Sequence, residues 1–242
     1  MPRGRLTKYA GMRYAKRRMD EVMAERTGLE KHEELVAREG LPIIIPVIFI
    51  ALIFAGLGWV IPAAVMGVLG VFSLWFFRNP KRVVSGGEEV ISSPADGKVI
   101  EIKKDARHEL LTGPQIKVSI FMSIFNAHIN RVPCGGRVEK VKYYPGKFFS
   151  ANLDKASHEN ERNAVLIKRP DGKMILTVQI AGLIARRIAC WVREGMEVSR
   201  GERFGLIRFG SRLEVFLPPE ALVLVKEGDK VRAGETPLGE VR

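Results

Sequence analysis

Positions 41–77 of this 242-residue chain carry no charged side chain, and this run limits the fold more than any other feature. A membrane-spanning helix needs about 20 apolar residues, so the run is too long for one helix and long enough for two short ones. Gly56, Gly58 and Pro62 lie near its middle, where a hairpin would turn. We therefore predict a helical hairpin at a membrane rather than the core helix of a soluble protein.

Basic residues on both sides of the apolar run predict its orientation. Segment 1–40 precedes the run, and Arg78, Lys81 and Arg82 follow it. Positive flanks favour a paired crossing with both ends in the cytoplasm, and a re-entrant or interfacial hairpin fits the short halves equally well. We expect the protein at the cell membrane, with its remaining domain on the cytoplasmic face and Trp75 as an interface anchor. Segment 1–40 is predicted to be a basic helical extension without a cleavable signal peptide.

Net charge and cysteine usage indicate what kind of partner the protein binds and in which compartment it works. The net charge of +12 indicates an anionic partner, either a nucleic acid or an anionic lipid surface. The excess lies largely beside the apolar run and lacks interleaved aromatic residues, which favours lipid and predicts no nucleic-acid partner. Cys134 and Cys190 stand apart without a CxxC motif, so we expect a reducing compartment and no disulfide. No Cys/His cluster has the spacing of metal ligands, so no metal is expected.

From residue 78 onward the pattern changes to short strands separated by turns. The predicted strands are 90–102, 116–121, 137–141, 164–168, 174–180, 188–192, 204–207, 213–217 and 221–225. Residues 152–163 are too polar for a strand and are predicted to be a loop or short helix. The predicted organisation is an extension (1–40), a membrane hairpin (41–77) and a mainly β (α+β) domain (78–242).

An internal repeat near the C-terminus predicts the shape of the β domain. The sequence VREGMEVSRGE begins at Val192, and VKEGDKVRAGE begins at Val225, with Gly195 matching Gly228. Two similar β-turn-β units favour a compact, pseudo-symmetric β-barrel or sandwich like that of biotinyl and lipoyl carriers. Those carriers present a lysine between the two halves, and here that position holds a Gly-Ser pair, Gly210-Ser211.

The Gly210-Ser211 pair lies within strand-like residues 204–218, where a lone Gly-Ser would ordinarily be a β-bulge with a surface serine. A second interpretation is chemical. If Ser211 Oγ attacks the Gly210 carbonyl, the amide becomes an ester, and β-elimination breaks the chain and leaves a residue that hydrolyses to a pyruvoyl group. Glycine permits the strained backbone that would expose this carbonyl. The resulting ketone would form a Schiff base with a substrate amine and accept electrons from a decarboxylation.

Such a serine needs a general base and a group that orients the base. Of the four histidines, His32 and His108 lie in polar or charged segments, and His158 lies in the polar 152–163 segment. His128 directly follows an apolar strand, at the expected edge of a site. Asp96 lies in the turn-like sequence SPADG. Taken alone, His128 would more often be structural, and Asp96 would more often be a hairpin residue.

Together these segments resemble the phosphatidylserine decarboxylase family, particularly its short pyruvoyl-dependent bacterial and archaeal members. The resemblance covers residues 40–218 and is carried, in order, by REGLP, WFFRNP, SPADGKV, FMSIFNAHINRVP, YYPGKF, DKASHENERN, QIAGLIARRI and RFGSR. It implies that Ser211 becomes the pyruvoyl cofactor and Gly210 the new C-terminus. The proenzyme would cleave itself into a β chain, 1–210, and an α chain, 211–242, that remain together as a heterodimer.

The resemblance also implies roles for the base candidates. Asp96 and His128 would be the charge-relay partners of self-processing, and His128 is our candidate for proton transfer during conversion of phosphatidylserine to phosphatidylethanolamine and CO2. The chain departs from the family pattern at two positions. Longer members carry threonine where this chain has Arg212, and a second histidine where it has Arg131.

Several further predictions stay open at this point. Arg78 is a candidate for holding lipid head groups, and Phe148 and Phe149 for contacting acyl chains, although topology and core packing explain these residues equally well or better. The lipid tails are either diacyl or archaeal ether chains, as in archaetidylserine, and homo-oligomerisation is undecided. A membrane-anchored barrel-sandwich adaptor would remain uncleaved. A serine hydrolase would use Ser211 with His128, but the chain has no GxSxG motif.

Overall fold

The computed structural model describes residues 34–150, 156–183, 187–208 and 210–241. Most of the predicted 1–40 extension, including His32, lies outside these residues, as does Phe209. The described helices are a 3-10 turn (Arg38–Gly40), α1 (Leu41–Gly56), α2 (Val60–Phe76) and α3 (Ala156–Glu159). Helix α3 falls within residues 152–163, where a loop or short helix was predicted.

Helices α1 and α2 form the predicted hairpin. The chain reverses between them at residues 57–59, where Gly58 has a φ of +73°, a left-handed conformation that favours glycine. By length and composition, the helical stretch Arg38–Gly56 could cross a membrane, whereas Val60–Phe76 is shorter. Most of the large apolar side chains of the hairpin point outward; Phe49, for example, is 62% exposed. An apolar surface of this size is typical of contact with lipid or protein.

The two ends of the hairpin are fastened to each other and to the β domain. The Ala37 N–H donates to the Phe77 carbonyl (2.9 Å). The rings of Phe76 and Phe77 are fully buried in a cluster that includes Ile129 and Leu206 of the β domain. A side chain at Gly40 would overlap the Phe77 ring, so glycine is required there. The hairpin therefore meets the β domain through a packed interface.

Fourteen strands are found among the described residues. They are β1 (Val90–Ser92), β2 (Gly97–Ala106), β3 (Gln115–Met122), β4 (Ile129–Arg131), β5 (Gly136–Tyr144), β6 (Arg162–Lys168), β7 (Met174–Ile180), β8 (Ile188–Cys190), β9 (Glu197–Val198), β10 (Arg203–Ile207), β11 (Ser211–Leu217), β12 (Leu222–Val223), β13 (Lys230–Val231) and β14 (Pro237–Glu240). Strands account for 38% of the structure and helices for 20%, which confirms the prediction of a mainly β fold.

Eight strands form a curled antiparallel sheet in the order β13-β2-β3-β11-β7-β6-β5-β9. Two three-stranded sheets, β1-β14-β12 and β4-β10-β8, complete the domain. Ile91 of β1, Leu238 of β14 and Phe204 of β10 join apolar side chains of the large sheet in one core cluster. Strand β11 lies near the centre of the large sheet, and all seven of its residues are buried.

The structure differs from the sequence prediction in the short strands. Residues 90–102 are two strands rather than one, because the chain between β1 and β2 bonds elsewhere: the Ser93 N–H donates to the Thr236 carbonyl (2.7 Å). Strands β4, β9, β13 and β14 were not predicted. Each has four residues or fewer, so its pairing partner rather than its own pattern determines it.

The C-terminal repeat forms two matched edges of the large sheet. Gly195 and Gly228 have similar left-handed φ values, +91° and +96°. The Gly195 N–H donates to the Val138 carbonyl of β5, and the Gly228 N–H donates to the Val99 carbonyl of β2, both at 2.8 Å. Strands β9 and β13 then pair with β5 and β2 at opposite ends of the sheet. The two units are thus equivalent in structure as well as in sequence.

Candidate active site

The Gly210-Ser211 bond lies at a junction between two sheets. Strand β10 belongs to a three-stranded sheet and β11 to the eight-stranded sheet, so the chain changes sheets between Ile207 and Ser211. Gly210 has a φ of +45°, and an added Cβ there would meet no atom within 4 Å. The backbone conformation, rather than lack of space, therefore selects glycine. Ser211 is the first residue of β11 and is fully buried.

Strand pairing brings the connection between β3 and β4, residues 123–128, alongside this junction. Ser211 is the register partner of Met122, the last residue of β3. On the other side, the Ile207 N–H donates to the His128 carbonyl (3.4 Å). Strand β3 pairs with β11 and β4 pairs with β10, so the connection from β3 to β4 runs between the same strand pairs as the connection from β10 to β11. His128 and the Gly210-Ser211 bond therefore lie on two adjacent connections between strands.

His128 is held as a neutral base with one free nitrogen. Its ring is fully buried, and Nδ1 lies 2.9 Å from the Asn126 carbonyl oxygen. A carbonyl only accepts, so Nδ1 carries the proton and Nε2 keeps its lone pair. Nε2 has no hydrogen-bond partner among the described residues. Burial is the main cause that lowers the pKa of His128 to about 4, and the charge of Arg78 adds to the lowering.

The hairpin contacts this histidine directly. The ring of Phe76, the last residue of α2, lies 4.2 Å from the His128 ring, centroid to centroid, at an interplanar angle of 32°. Arg78 follows two residues later, and its Nη2 donates to the Phe125 carbonyl (3.0 Å) in the 123–128 connection. Phe76 and Arg78 therefore connect the base of the hairpin to His128 and to the connection that precedes it.

Asp96 is bonded to groups other than His128 and Ser211. Its Oδ2 accepts from Arg82 Nη2 (2.6 Å), and its Oδ1 accepts the Ala233 N–H (2.8 Å). Ser211 Oγ donates to the Met122 sulfur (3.4 Å). Within the described part of the chain, no hydrogen bond joins Asp96, His128 and Ser211 to one another. The structure places His128 and Ser211 on adjacent connections, and the predicted relay of Asp96, His128 and Ser211 is not formed by direct hydrogen bonds.

A chain of buried amides, missed by the sequence prediction, also reaches Ser211. Asn163 Nδ2 donates to Gln179 Oε1 (3.0 Å), and Gln179 Nε2 donates to Asn130 Oδ1 (2.8 Å). Asn130 Nδ2 then points at the Met122 sulfur (3.7 Å), the same atom that accepts from Ser211. A signal was present, because each amide interrupts an apolar strand pattern. The three amides lie on three different strands, so the sequence alone did not show that they bond to one another.

The two departures from the family pattern have structural explanations. Arg131 donates to the Gly201 and Pro80 carbonyls, both at 2.8 Å, and so fastens chain segments. Alternate side chains of a strand point to opposite faces, so Arg212 points away from the face of Ser211. Its guanidinium is 1% exposed and pairs with Glu101 (2.9 Å) and Glu214 (3.1 Å).

We expect Arg212→Leu to lower the free energy of unfolding by about 3–5 kcal/mol, because the buried carboxylate of Glu214 would lose a close partner. Arg232→Leu is the matched control. Arg232 is 73% exposed where it pairs with Glu235, so its loss should cost less than about 1 kcal/mol. Urea unfolding followed by circular dichroism compares the two. Equal midpoint shifts would contradict a special role for the buried pair.

The predicted substrate-binding residues lie in two places. Phe148 is half-buried and packs against Ala181 and Ile207. Ile207 is the last residue of β10, directly before the sheet junction. Phe149 is held through its backbone by Asn160. Arg78 lies at the base of the hairpin, where Nη1 donates to the Trp75 carbonyl. Within the described ranges, no group of three or more His, Cys, Asp or Glu side chains is arranged to hold a metal ion.

Comparison with known proteins gives the family. The family model for phosphatidylserine decarboxylase matches residues 69–239, which include the whole candidate site. The chain belongs to the phosphatidylserine decarboxylase family. It is 58% identical over 212 residues to a phosphatidylserine decarboxylase proenzyme of Syntrophus aciditrophicus, covering 86% of this chain and 99% of that protein. A protein of the same name from Magnetococcus marinus is 46% identical over 209 residues, covering 86% and 96%. The resemblance inferred from sequence motifs is confirmed, and with it an enzyme of the decarboxylase class.

Proposed function

We propose that this decarboxylase converts phosphatidylserine to phosphatidylethanolamine and CO2, and that it generates its own pyruvoyl group by cleavage between Gly210 and Ser211. The observation that carries the proposal is the junction itself. A left-handed glycine precedes a fully buried serine, beside a connection that ends in a neutral histidine with a free nitrogen. The word proenzyme in the names of the relatives supports a precursor that is cut.

The chain's own residues account for self-cleavage in balanced steps. Ser211 Oγ exchanges its weak bond to the Met122 sulfur for His128 Nε2, loses its proton and attacks the Gly210 carbonyl carbon. The C–N bond breaks, the proton taken up by His128 passes to the released Ser211 nitrogen, and an ester forms. Removal of the Ser211 Cα proton expels the Gly210 carboxylate and leaves dehydroalanine. Its imine tautomer takes up water and gives the pyruvoyl ketone and ammonia. We retain Asp96 as the charge-relay partner of His128 in this step; for this it would leave Arg82 and the Ala233 N–H and replace the Asn126 carbonyl at His128 Nδ1.

The site suits the group that this reaction leaves. The Cβ of residue 211 would become a methyl group beside the Met122 sulfur, which is an apolar neighbour. When bound to a substrate amine, a pyruvoyl ketone withdraws electrons and so stabilises the charge left by departing CO2. His128 is the residue that we assign to return a proton, since its Nε2 is free in the buried site.

The fold explains how two cleaved chains would remain together. Strand β11 would begin the α chain, and it pairs with β3 on one side and β7 on the other, both from the β chain. Strands β13 and β14 of the α chain also pair with β2 and β1. The heterodimer would thus be held by sheet hydrogen bonds and a shared core. We place the enzyme on the cytoplasmic face of the cell membrane, because the apolar hairpin has basic flanks.

The purified protein tests this function. We expect denaturing mass spectrometry to find chains 1–210 and 211–242, the second blocked to Edman degradation and shifted in mass by phenylhydrazine. Vesicles containing phosphatidylserine labelled in the serine carboxylate should release labelled CO2, and prior treatment with phenylhydrazine should abolish the release. An uncleaved chain that releases no CO2 would refute the proposal and favour the adaptor.

A further inference from the structure

The connection between β3 and β4 exposes apolar side chains directly beside the buried site. Phe125 is 67% exposed and Ile124 is 36% exposed. Met122 before them, and Ala127 and His128 after them, are buried. The connection is rigid at its base, because Asn126 Oδ1 accepts from both the N–H and the hydroxyl of Ser123 (2.8 Å each). Together with the exposed apolar side chains of the hairpin, these residues add to an apolar surface of the kind that contacts lipid or protein.

The same connection is joined to the membrane hairpin through Arg78. The Arg78 guanidinium carbon lies 4.0 Å from the centroid of the Trp75 ring, and its Nη2 donates to the Phe125 carbonyl. Trp75 is itself 54% exposed. Trp75 and the backbone of Phe125 therefore contact one cation next to the base of the hairpin, and Ile124 precedes Phe125 in the chain. We call these three residues the site rim.

We propose that the site rim is a second membrane-contacting surface, which inserts into the interface of a phospholipid bilayer and brings the Ser211 site close to the lipid. Trp75 of the rim belongs to the outward-facing apolar surface of α2, and Arg78, which contacts Trp75 and the Phe125 carbonyl, supplies positive charge for anionic head groups. Aromatic residues are favoured at this depth of a bilayer, with apolar rings below the head groups.

The inference rests on the proposed function, and it gives that function a route for its substrate. A diacyl lipid keeps its tails in the bilayer while its head group must reach a buried residue. Phe125 is three positions from His128 along a fixed turn, and Phe76 packs on the same histidine from the hairpin. Contact of the rim with lipid would therefore place the head group beside His128 and Ser211.

A fluorescent label tests the contact without requiring catalysis. We would label full-length Phe125→Cys with an NBD iodoacetamide and compare it with Leu222→Cys. Leu222 is 56% exposed and lies beyond the opposite end of β11 from Ser211. The native thiols should react slowly, because burial raises the pKa of Cys134 to about 12 and also raises the pKa of Cys190.

On vesicles of phosphatidylserine and phosphatidylcholine, the label at position 125 should shift to the blue and be quenched by lipids that carry a doxyl group. The label at position 222 should do neither. Equal behaviour of the two labels would overturn the proposal. Because this readout needs no reaction, vesicle contact at position 125 together with no CO2 release by the wild-type protein would sustain the rim and refute the proposed function.

A kinetic comparison tests the role of the rim in substrate delivery. For Phe125→Ser, we expect the rate on vesicle phosphatidylserine, divided by the rate on dissolved monomeric dihexanoyl-phosphatidylserine, to fall roughly tenfold or more, as loss of a buried aromatic contact predicts. Leu222→Ser should leave the ratio unchanged. An unaltered ratio for Phe125→Ser would show that the rim does not deliver substrate.

Discussion

Ser211→Ala is expected to leave the chain as a single species of 27.0 kDa without decarboxylase activity, in place of the two chains expected from the wild type. Alanine has no nucleophilic oxygen, so the Gly210 carbonyl cannot be attacked and no ketone can form. The fold should survive, because the substitution removes only a weak O–H···S bond to Met122 at a position held by pairing with β3. The loss would therefore be chemical.

Denaturing mass spectrometry and CO2 release measure both effects on the same preparation. Ser199→Ala is the matched control, since Ser199 is exposed and its hydrogen bonds to Glu202 use the backbone N–H and carbonyl rather than the hydroxyl. It should be cleaved and active like the wild type. A two-chain, hydrazine-reactive Ser211→Ala protein would rule out Ser211 as the source of the pyruvoyl group.

His128→Asn should slow self-cleavage, decarboxylation or both by about 10²–10⁴-fold, the usual contribution of a general acid–base residue. The asparagine amide can still donate to the Asn126 carbonyl, so the turn that holds residue 128 is kept while the basic Nε2 is lost. The rate of cleavage is measured on freshly translated chain, and the rate of decarboxylation on chain already cleaved. His158→Asn, at an exposed histidine of α3, should change neither rate. If His128→Asn is also silent, another residue moves the protons.

The pKa of His128 predicts how these effects depend on pH. With a folded pKa of about 4, Nε2 stays unprotonated from pH 8 to about pH 5, so self-cleavage should be level there and fall only near pH 4. In the unfolded chain the same group titrates near 6.5 and binds a proton first. Stability from this group is therefore complete above about pH 6.5 and is lost as pH falls toward 4, by roughly 3 kcal/mol. Urea unfolding should show this loss in the wild type and a smaller loss in His128→Asn.

The features that could be predicted from sequence are those written in short-range patterns. The uncharged run 41–77 with central glycines predicted a hairpin, and α1 and α2 form it because each helix satisfies its own backbone hydrogen bonds. Alternating apolar residues predicted most of the longer strands. Gly195 and Gly228 recur in the repeat because each begins an equivalent sheet edge in a left-handed conformation. Ordered motifs then identified the family.

The features that could not be predicted depend on groups far apart in the chain. Asp96 was expected to face His128, yet it pairs with Arg82 and with the Ala233 N–H, a partner 137 positions away. Arg212 looked like an anomaly at the cleavage site and is the centre of a buried charge cluster on the opposite face of the sheet. A buried charged group pairs with an opposite charge that the fold places next to it, and local sequence patterns do not show which residue that is.

The sequence by itself determined the apolar hairpin, the mainly β domain, the repeat and the residues that qualify for the chemistry, because periodicity and residue type express local physical preferences. Only the tertiary structure decided that Gly210 and Ser211 stand at a change of sheet, that Phe76 packs on His128 and that Phe125 is exposed beside both. Strand register and long-range packing set these relations. Each is a choice among many pairings that the same local patterns would permit.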